Sequence, residues 1–176
     1  MVQRSGHFYL GFDAASYAIT ERILFSGTEA CLDLNGKAYN GIIRAFAVDN
    51  GATLNVMGTG MILGRGSYGG LPGGTVYVLE GGTLNLYGGT LGSRLGIAAK
   101  RTADKGGVLA VDGTFNMYGG KVDPTSSYTP QWWPAVGGAV YVGAKGSMNM
   151  SGGQILSGTV SDTFSYVCDE TVYTVI

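Results

Sequence analysis

Charge is scarce in this 176-residue chain: Asp, Glu, Lys and Arg together make up 13% of it, against the ~25% usual in globular domains. The 11 basic and 12 acidic residues leave a net charge of −1 and form no basic stripe, so a nucleic-acid partner is not expected. No apolar run approaches the ~18 residues of a membrane-spanning helix, so membrane insertion is not expected either. Residues Met1 to Gly6 lack the apolar stretch of a secretory leader. The two cysteines, Cys31 and Cys168, stand near opposite ends without metal-ligand spacing and read as free thiols. The single histidine, His7, has neither the further ligands of a zinc site nor the partners of a catalytic triad, and reads as structural or exposed. No glycine turn leads into Gly-Lys-Ser/Thr, so there is no phosphate-binding loop.

Glycine supplies the contrast, with 32 residues, about two and a half times the usual ~7% share. Because hydrophobic residues still reach 45%, this is no flexible linker; it calls for many short strands and tight turns in one domain. Four segments align: Thr53-Leu54-Asn55-Val56-Met57-Gly58, Thr83-Leu84-Asn85-Leu86-Tyr87-Gly88, Thr114-Phe115-Asn116-Met117-Tyr118-Gly119 and Ser147-Met148-Asn149-Met150-Ser151-Gly152. A shorter version precedes them as Cys31-Leu32-Asp33-Leu34-Asn35-Gly36. From Leu32 to Leu54, Leu84, Phe115 and Met148 the steps are 22, 30, 31 and 33 residues. Upstream of each segment lies a second alternating piece: Phe46-Ala47-Val48, Val76-Tyr77-Val78, Leu109-Ala110-Val111 and Val140-Tyr141-Val142. Downstream comes a third apolar point, at Met61, Leu91, Val122 and Ile155.

Strict alternation is the period of a half-buried strand, and the spacing of three and four that a helix needs is absent. An antiparallel sandwich would not repeat one three-strand unit. Units unable to bury their own apolar face must stack, each strand beside its equivalent one coil on. The expected fold is therefore all-β: a single-stranded parallel β-helix of about four or five coils, right-handed as parallel crossovers are. Residues 1–30, which lack the glycine repeat, are expected to form an N-terminal cap, in which Ala14 to Leu24 could include one short helix. Residues 31–160 form the coils, and 161–176 the C-terminal strands, whose edges could take end-to-end or edge contacts. Alternation sends Leu54, Val56, Leu84, Leu86, Phe115, Met117, Met148 and Met150 inward. It sends Asn55, Asn85, Asn116 and Asn149 outward as a side-chain ladder, with Tyr87 stacked on Tyr118.

The order Phe8-Tyr9-Leu10, Cys31-Leu32-Asp33-Leu34-Asn35-Gly36-Lys37 and Asn50-Gly51-Ala52-Thr53-Leu54-Asn55-Val56, followed by the Gly-Gly-x-Val-Tyr-Val and Gly-Gly-Thr-Leu repeats, resembles the pectate-lyase-like β-helix regions of large surface proteins from gut-dwelling bacteria. The resemblance spans residues 6–160. It implies an extracellular or cell-surface module, with adhesion to a glycan or host-surface ligand as its work, and supplies no catalytic motif.

Three longer stretches interrupt the repeat after the third apolar point, and stacking should bring them to one flank. They carry Arg65 and Tyr68; then Arg94, Lys100, Arg101, Asp104 and Lys105; then Asp123, Tyr128, Trp132 and Trp133. The tryptophans sit in Pro130-Gln131-Trp132-Trp133-Pro134, where the prolines restrict the backbone and lower the cost of presenting two rings. Aromatic faces stack on sugars and neighbouring charges fix hydroxyls, so Trp132, Trp133, Tyr128, Tyr68, Arg65 and Arg94 are the candidate ligand-binding residues. Folding of the tryptophans back over the flank is the structural alternative. A polysaccharide lyase or glycoside hydrolase is the enzymatic alternative, with Asp104 and Asp123 as acids and Lys100 and Arg101 as bases. Only that alternative brings in a cofactor, calcium. A purely structural stalk is the third reading. Asp112, in the turn Asp112-Gly113, reads as serving local backbone geometry.

Overall fold

The computed structural model describes residues 5–11, 13–15, 23–41, 44–64, 72–93, 105–124, 137–156, 164–168 and 171–175. Its strands are short and glycine-bounded, and none can bury an apolar face alone. They solve this by joining three parallel sheets. Sheet one holds β1 (Gly6–Tyr9), β4 (Glu29–Asp33), β7 (Thr53–Met57), β10 (Thr83–Leu86), β13 (Thr114–Met117) and β16 (Ser147–Met150). Sheet two holds β2 (Ala14–Ala15), β5 (Lys37–Asn40), β8 (Gly60–Gly64), β11 (Thr90–Ser93), β14 (Lys121–Asp123) and β17 (Gln154–Ile155). Sheet three holds β3 (Ile23–Ser26), β6 (Phe46–Asp49), β9 (Val76–Val78), β12 (Leu109–Val111) and β15 (Val140–Val142). Each of these strands pairs with the one three elements along the chain, which is the topology of a parallel β-helix-like solenoid. β18 (Phe164–Cys168) and β19 (Thr171–Val175) pair antiparallel with each other as a separate hairpin. The described residues contain no helix long and apolar enough to cross a membrane.

The repeats pair in register: Leu84 lies beside Leu54 on one side and Phe115 on the other, and Asn85 lies beside Asn55 and Asn116. Leu54, Val56, Leu84, Leu86, Phe115 and Met117 are fully buried in the solenoid interior, with Val48, Val76, Val78, Leu109 and Val111 of sheet three facing them. Burying each such side chain contributes about 1.5–3 kcal/mol. Met148 is only partly buried and Met150 is 49% exposed, because among the described residues β16 has a neighbour on one side alone.

Four expectations change. The segment expected as a cap contains β1, β2 and β3, one strand for each sheet, all pairing in parallel with the next coil. Of the helix placed from Ala14 to Leu24, the two ends are strand and the middle lies outside the described residues. The first repeat is offset by two residues, since Ala30 and not Leu32 stands beside Leu54. A two-residue slip keeps every side chain on its own face, so alternation alone could not detect it. At the third strand Ile62, not Met61, aligns with Leu91. Gly58-Thr59-Gly60 spends one residue more at that corner than Gly88-Gly89 does, and a one-residue shift exchanges the faces.

The outward asparagines form a continuous ladder. Asn85 Nδ2 donates to Asn55 Oδ1 at 2.8 Å, Asn116 to Asn85 at 2.8 Å and Asn149 to Asn116 at 3.0 Å. Asn55 Nδ2 ends the run on the Cys31 thiol at 3.5 Å. Every amide donates toward the preceding coil. Tyr87 and Tyr118 stack beside it with ring centroids 4.8 Å apart. Replacing Asn116 with alanine removes two ladder bonds from a part-buried position. The expected cost is about 1–2 kcal/mol, read from urea unfolding; a loss below ~0.3 kcal/mol would reduce the ladder to decoration.

Candidate functional site

Most sequence-predicted site residues, namely Arg65, Tyr68, Arg94, Lys100, Arg101, Asp104, Tyr128, Trp132 and Trp133, lie outside the described residues. The ends from which their segments depart are described. They leave from β8, β11 and β14, neighbours in sheet two, and return to β9, β12 and β15, neighbours in sheet three. Two buried polar side chains tie this corner together. Thr75 Oγ1 accepts from Gly64 N at 3.1 Å and donates to Gly92 O at 2.5 Å. Arg44 Nε donates to Gly73 O at 3.0 Å, its Nη2 bonds Pro72 O, and the guanidinium lies 5.1 Å from the Tyr77 ring centroid. Asp123, suggested as an acid, ends β14 in sheet two, whereas Asp112, read as a turn residue, follows β12 in sheet three, so the two carboxylates belong to different sheets.

Sheet three turns its other end to a groove. The turns from sheet three to sheet one differ in length: 27–28, 50–52, 79–82, 112–113 and 143–146. The Asp112-Gly113 turn is one of the two shortest, and it sits between the two longest. Gly113 makes this possible, because a Cβ there would collide with the carbonyl oxygens of Leu79 and Gly82. The missing side chain of Gly143 likewise leaves room for Asp112 Oδ1. The shortfall opens a notch of about 590 Å³ lined by Asp49, Asn50, Tyr77, Leu79, Glu80, Asp112, Ala144 and Lys145.

Its polar groups are linked across coils. Tyr77 donates its hydroxyl to Asp112 Oδ2 at 2.5 Å. Lys145 Nζ reaches Glu80 Oε2 at 2.8 Å, passing the short turn to join the two longer ones. Both partners of this pair are about two-thirds exposed, so it positions the groups more than it stabilises the fold. The Lys145 ammonium is held above its ordinary range first by the hydrogen bond to Glu80 and then by that carboxylate's charge. Asp49 Oδ1 is buried without a hydrogen-bond partner, the one such side-chain oxygen among the described residues. Further along the same face, Lys105 Nζ lies 5.0 Å from the Tyr141 ring centroid and 3.5 Å from its hydroxyl. Among the described residues no group of three or more His, Cys, Asp or Glu side chains is arranged to hold a metal ion.

Burial, then the Asp112 hydrogen bond and charge, push the Tyr77 phenol from 10.0 up to about 12. A raised folded-state value means this stabilisation is complete below pH 10 and is lost as pH rises through about 12. Wild-type protein is therefore expected to lose stability more steeply across that window than Tyr77→Phe does. Urea midpoints measured in steps between the two pH values check this, and parallel curves would refute it.

Sequence reasoning missed the notch because it looked for acids at one level of one coil. Asp49, Glu80 and Asp112 come from successive coils, and the usable signal was that each ends a sheet-three strand or follows one by one or two residues, and precedes glycine within two. What the arrangement offers chemically is a row of acceptors and one ammonium beside an aromatic strand face, suited to hydroxyl-rich ligands. Comparison with known proteins finds no matching family model, no similar curated protein and no similar solved structure.

Proposed function

We propose that the chain is a non-catalytic carbohydrate-binding module of an extracellular bacterial surface protein, built as a right-handed β-helix whose coil number is close to the four or five read from its repeats. The notch carries this reading: carboxylates, an amide and a tyrosine hydroxyl line a groove wide enough for a sugar unit. From the notch, the outer face of sheet three leads past Tyr77 and Tyr141 to the corner where the long segments return. Three residues of strand span roughly 10 Å, so a short oligosaccharide lying across this face reaches both ends. Trp132, Trp133, Tyr128, Tyr68, Arg65 and Arg94, the candidates read from the sequence, remain the proposed further ligand-binding residues, and adhesion follows from multiple weak contacts.

The test is a glycan array followed by calorimetry on the best ligands, with Asp112→Asn, Tyr77→Phe and the double change Trp132→Ala/Trp133→Ala. Loss of about tenfold or more in affinity for Asp112→Asn, which removes a charged hydrogen-bonding group at the floor, is the expected result. Binding that survives all three variants sinks the assignment. Release of unsaturated or reducing ends from any bound polymer would establish the enzymatic reading in its place.

A further inference from the structure

A stack of coils has two ends, and each exposes sheet edges whose N–H and C=O groups can template pairing with another chain. Among the described residues β1, β2 and β3 form the edges at one end, and β15, β16 and β17 those at the other. Edge strands are commonly protected by charged side chains or proline. None of these six strands contains Asp, Glu, Lys, Arg or Pro. The strands between them do carry charge, as at Glu29, Asp49, Lys121 and Asp123. The ends are apolar as well: Phe8, Tyr9, Val142 and Met150 are exposed, and the other exposed large hydrophobics among the described residues are the stacked Tyr87 and Tyr118.

The two ends also match. Followed through the paired register, one column runs Phe8, Leu32, Val56, Leu86, Met117, Met150. Its four inner members are buried, so Phe8 and Met150 are the two open ends of one apolar column. The column beside it starts at His7 and Cys31 and continues from Asn55 to Asn149. Every amide there donates toward the preceding coil, so the ladder ends on Asn149 Oδ1, which has no partner among the described residues. At the column's other end the His7 ring has an N–H to give. A head-to-tail contact keeps all strands parallel and both columns continuous, whereas a two-fold contact between like ends would set the strands antiparallel. We propose that this protein stacks on further copies of itself, β15, β16 and β17 of one copy pairing with β3, β1 and β2 of the next. Met150 then closes on Phe8, and Asn149 Oδ1 accepts from the His7 ring. The contact repeats the step between coils that the chain already makes within itself. It joins unlike surfaces and does not close, so it builds open-ended rows. It uses neither the notch nor the long segments and stands apart from the carbohydrate reading.

Light scattering and sedimentation velocity on the full chain read the outcome. The mean mass of the wild type is expected to climb past two chains between about 10 μM and about 1 mM, with no plateau. Phe8→Lys and Met150→Lys each place a charge in the contact, and each alone is expected to stay monomeric. Each keeps one sound end, so an equal mixture of the two is expected to form a dimer and stop there. That dimer requires both variants to be folded, so misfolding cannot explain why each fails alone. If circular dichroism shows either one unfolded, His7→Asp replaces Phe8→Lys and Val142→Lys replaces Met150→Lys. Tyr87→Lys, at an exposed ring away from both ends, is expected to associate as the wild type does. A wild type still monomeric at about 1 mM overturns the proposal, the end being covered by the chain's own β18–β19 hairpin or by solvent. A plateau at two chains overturns it in favour of a two-fold contact. It also falls if either single variant associates like the wild type, if the mixture of folded variants stays monomeric, or if Tyr87→Lys abolishes association.

Discussion

Replacing Phe115 with alanine is expected to cost about 3–5 kcal/mol, the range for an aromatic ring removed from a closed interior. Phe115 is fully buried on β13, in register with Leu84 on one side and Met148 on the other. Backbone pairing on both sides keeps the neighbouring coils at strand spacing, so they cannot move in to fill the space. The cavity is therefore retained, and its cost adds to the lost transfer free energy. In a chain of this size each kcal/mol moves the melting midpoint by about 2–4 °C, which puts the expected fall near 10 °C. Because coils contact only their neighbours, the loss should also broaden the transition, as the stack is divided at its middle. Urea and thermal unfolding followed by circular dichroism measure both effects. A cost under ~1.5 kcal/mol would mean that the interior repacks and that the columns are less rigid than the register implies.

Gly120→Ala should rank next, at about 3 kcal/mol, and a second glycine separates its two causes. Gly120 adopts φ = 75°, the left-handed region that costs an L-residue about 1–2 kcal/mol. In addition, a Cβ there would stand 2.6 Å from Gly89 O and 3.0 Å from Gly88 C, both backbone atoms of the preceding coil. Gly81 has the same conformation, φ = 81°, but its nearest neighbour to a Cβ is Gly51 N at an ordinary 3.6 Å. Gly81→Ala thus measures backbone strain alone, and Gly120→Ala adds the collision between coils. Equal losses for the two would show that the corner can open to admit a methyl group, and would remove the steric account of the double glycine.

The corners and columns were legible in the sequence because they are local. Thr-Leu-Asn-Leu-Tyr-Gly-Gly states its own alternation, its own turn and its own inward face, and Tyr87 meets Tyr118 because the same motif recurs 31 residues on. Asn55 to Asn149 form a ladder for the same reason. The expected cap was less legible: Gly6–Tyr9 and Ile23–Ser26 lack the glycine signature yet pair as strands, since the backbone of any extended segment can extend a sheet whose edge is open. Arg44 went unnoticed because nothing in Ile42-Ile43-Arg44 announces that its guanidinium will hold the carbonyls of Pro72 and Gly73, 28 and 29 residues away. Asp112 was assigned to turn geometry, which accounts for its backbone; its carboxylate also receives the Tyr77 hydroxyl from the coil before.

By itself the sequence determined the approximate period of the coil, the faces of the side chains in the Thr-Leu-Asn-Leu repeats, and the parallel stacking that follows when such faces cannot be buried alone. These depend on alternation and glycine spacing, which are properties of neighbours along the chain. Only the tertiary structure decided the register of the first repeat, because a slip of two residues leaves alternation unchanged. It alone also made the notch. A turn two residues shorter than those on either side is unremarkable in a linear chain. Stacked between them it becomes a groove, with Glu80 and Lys145 meeting across it from 65 residues apart.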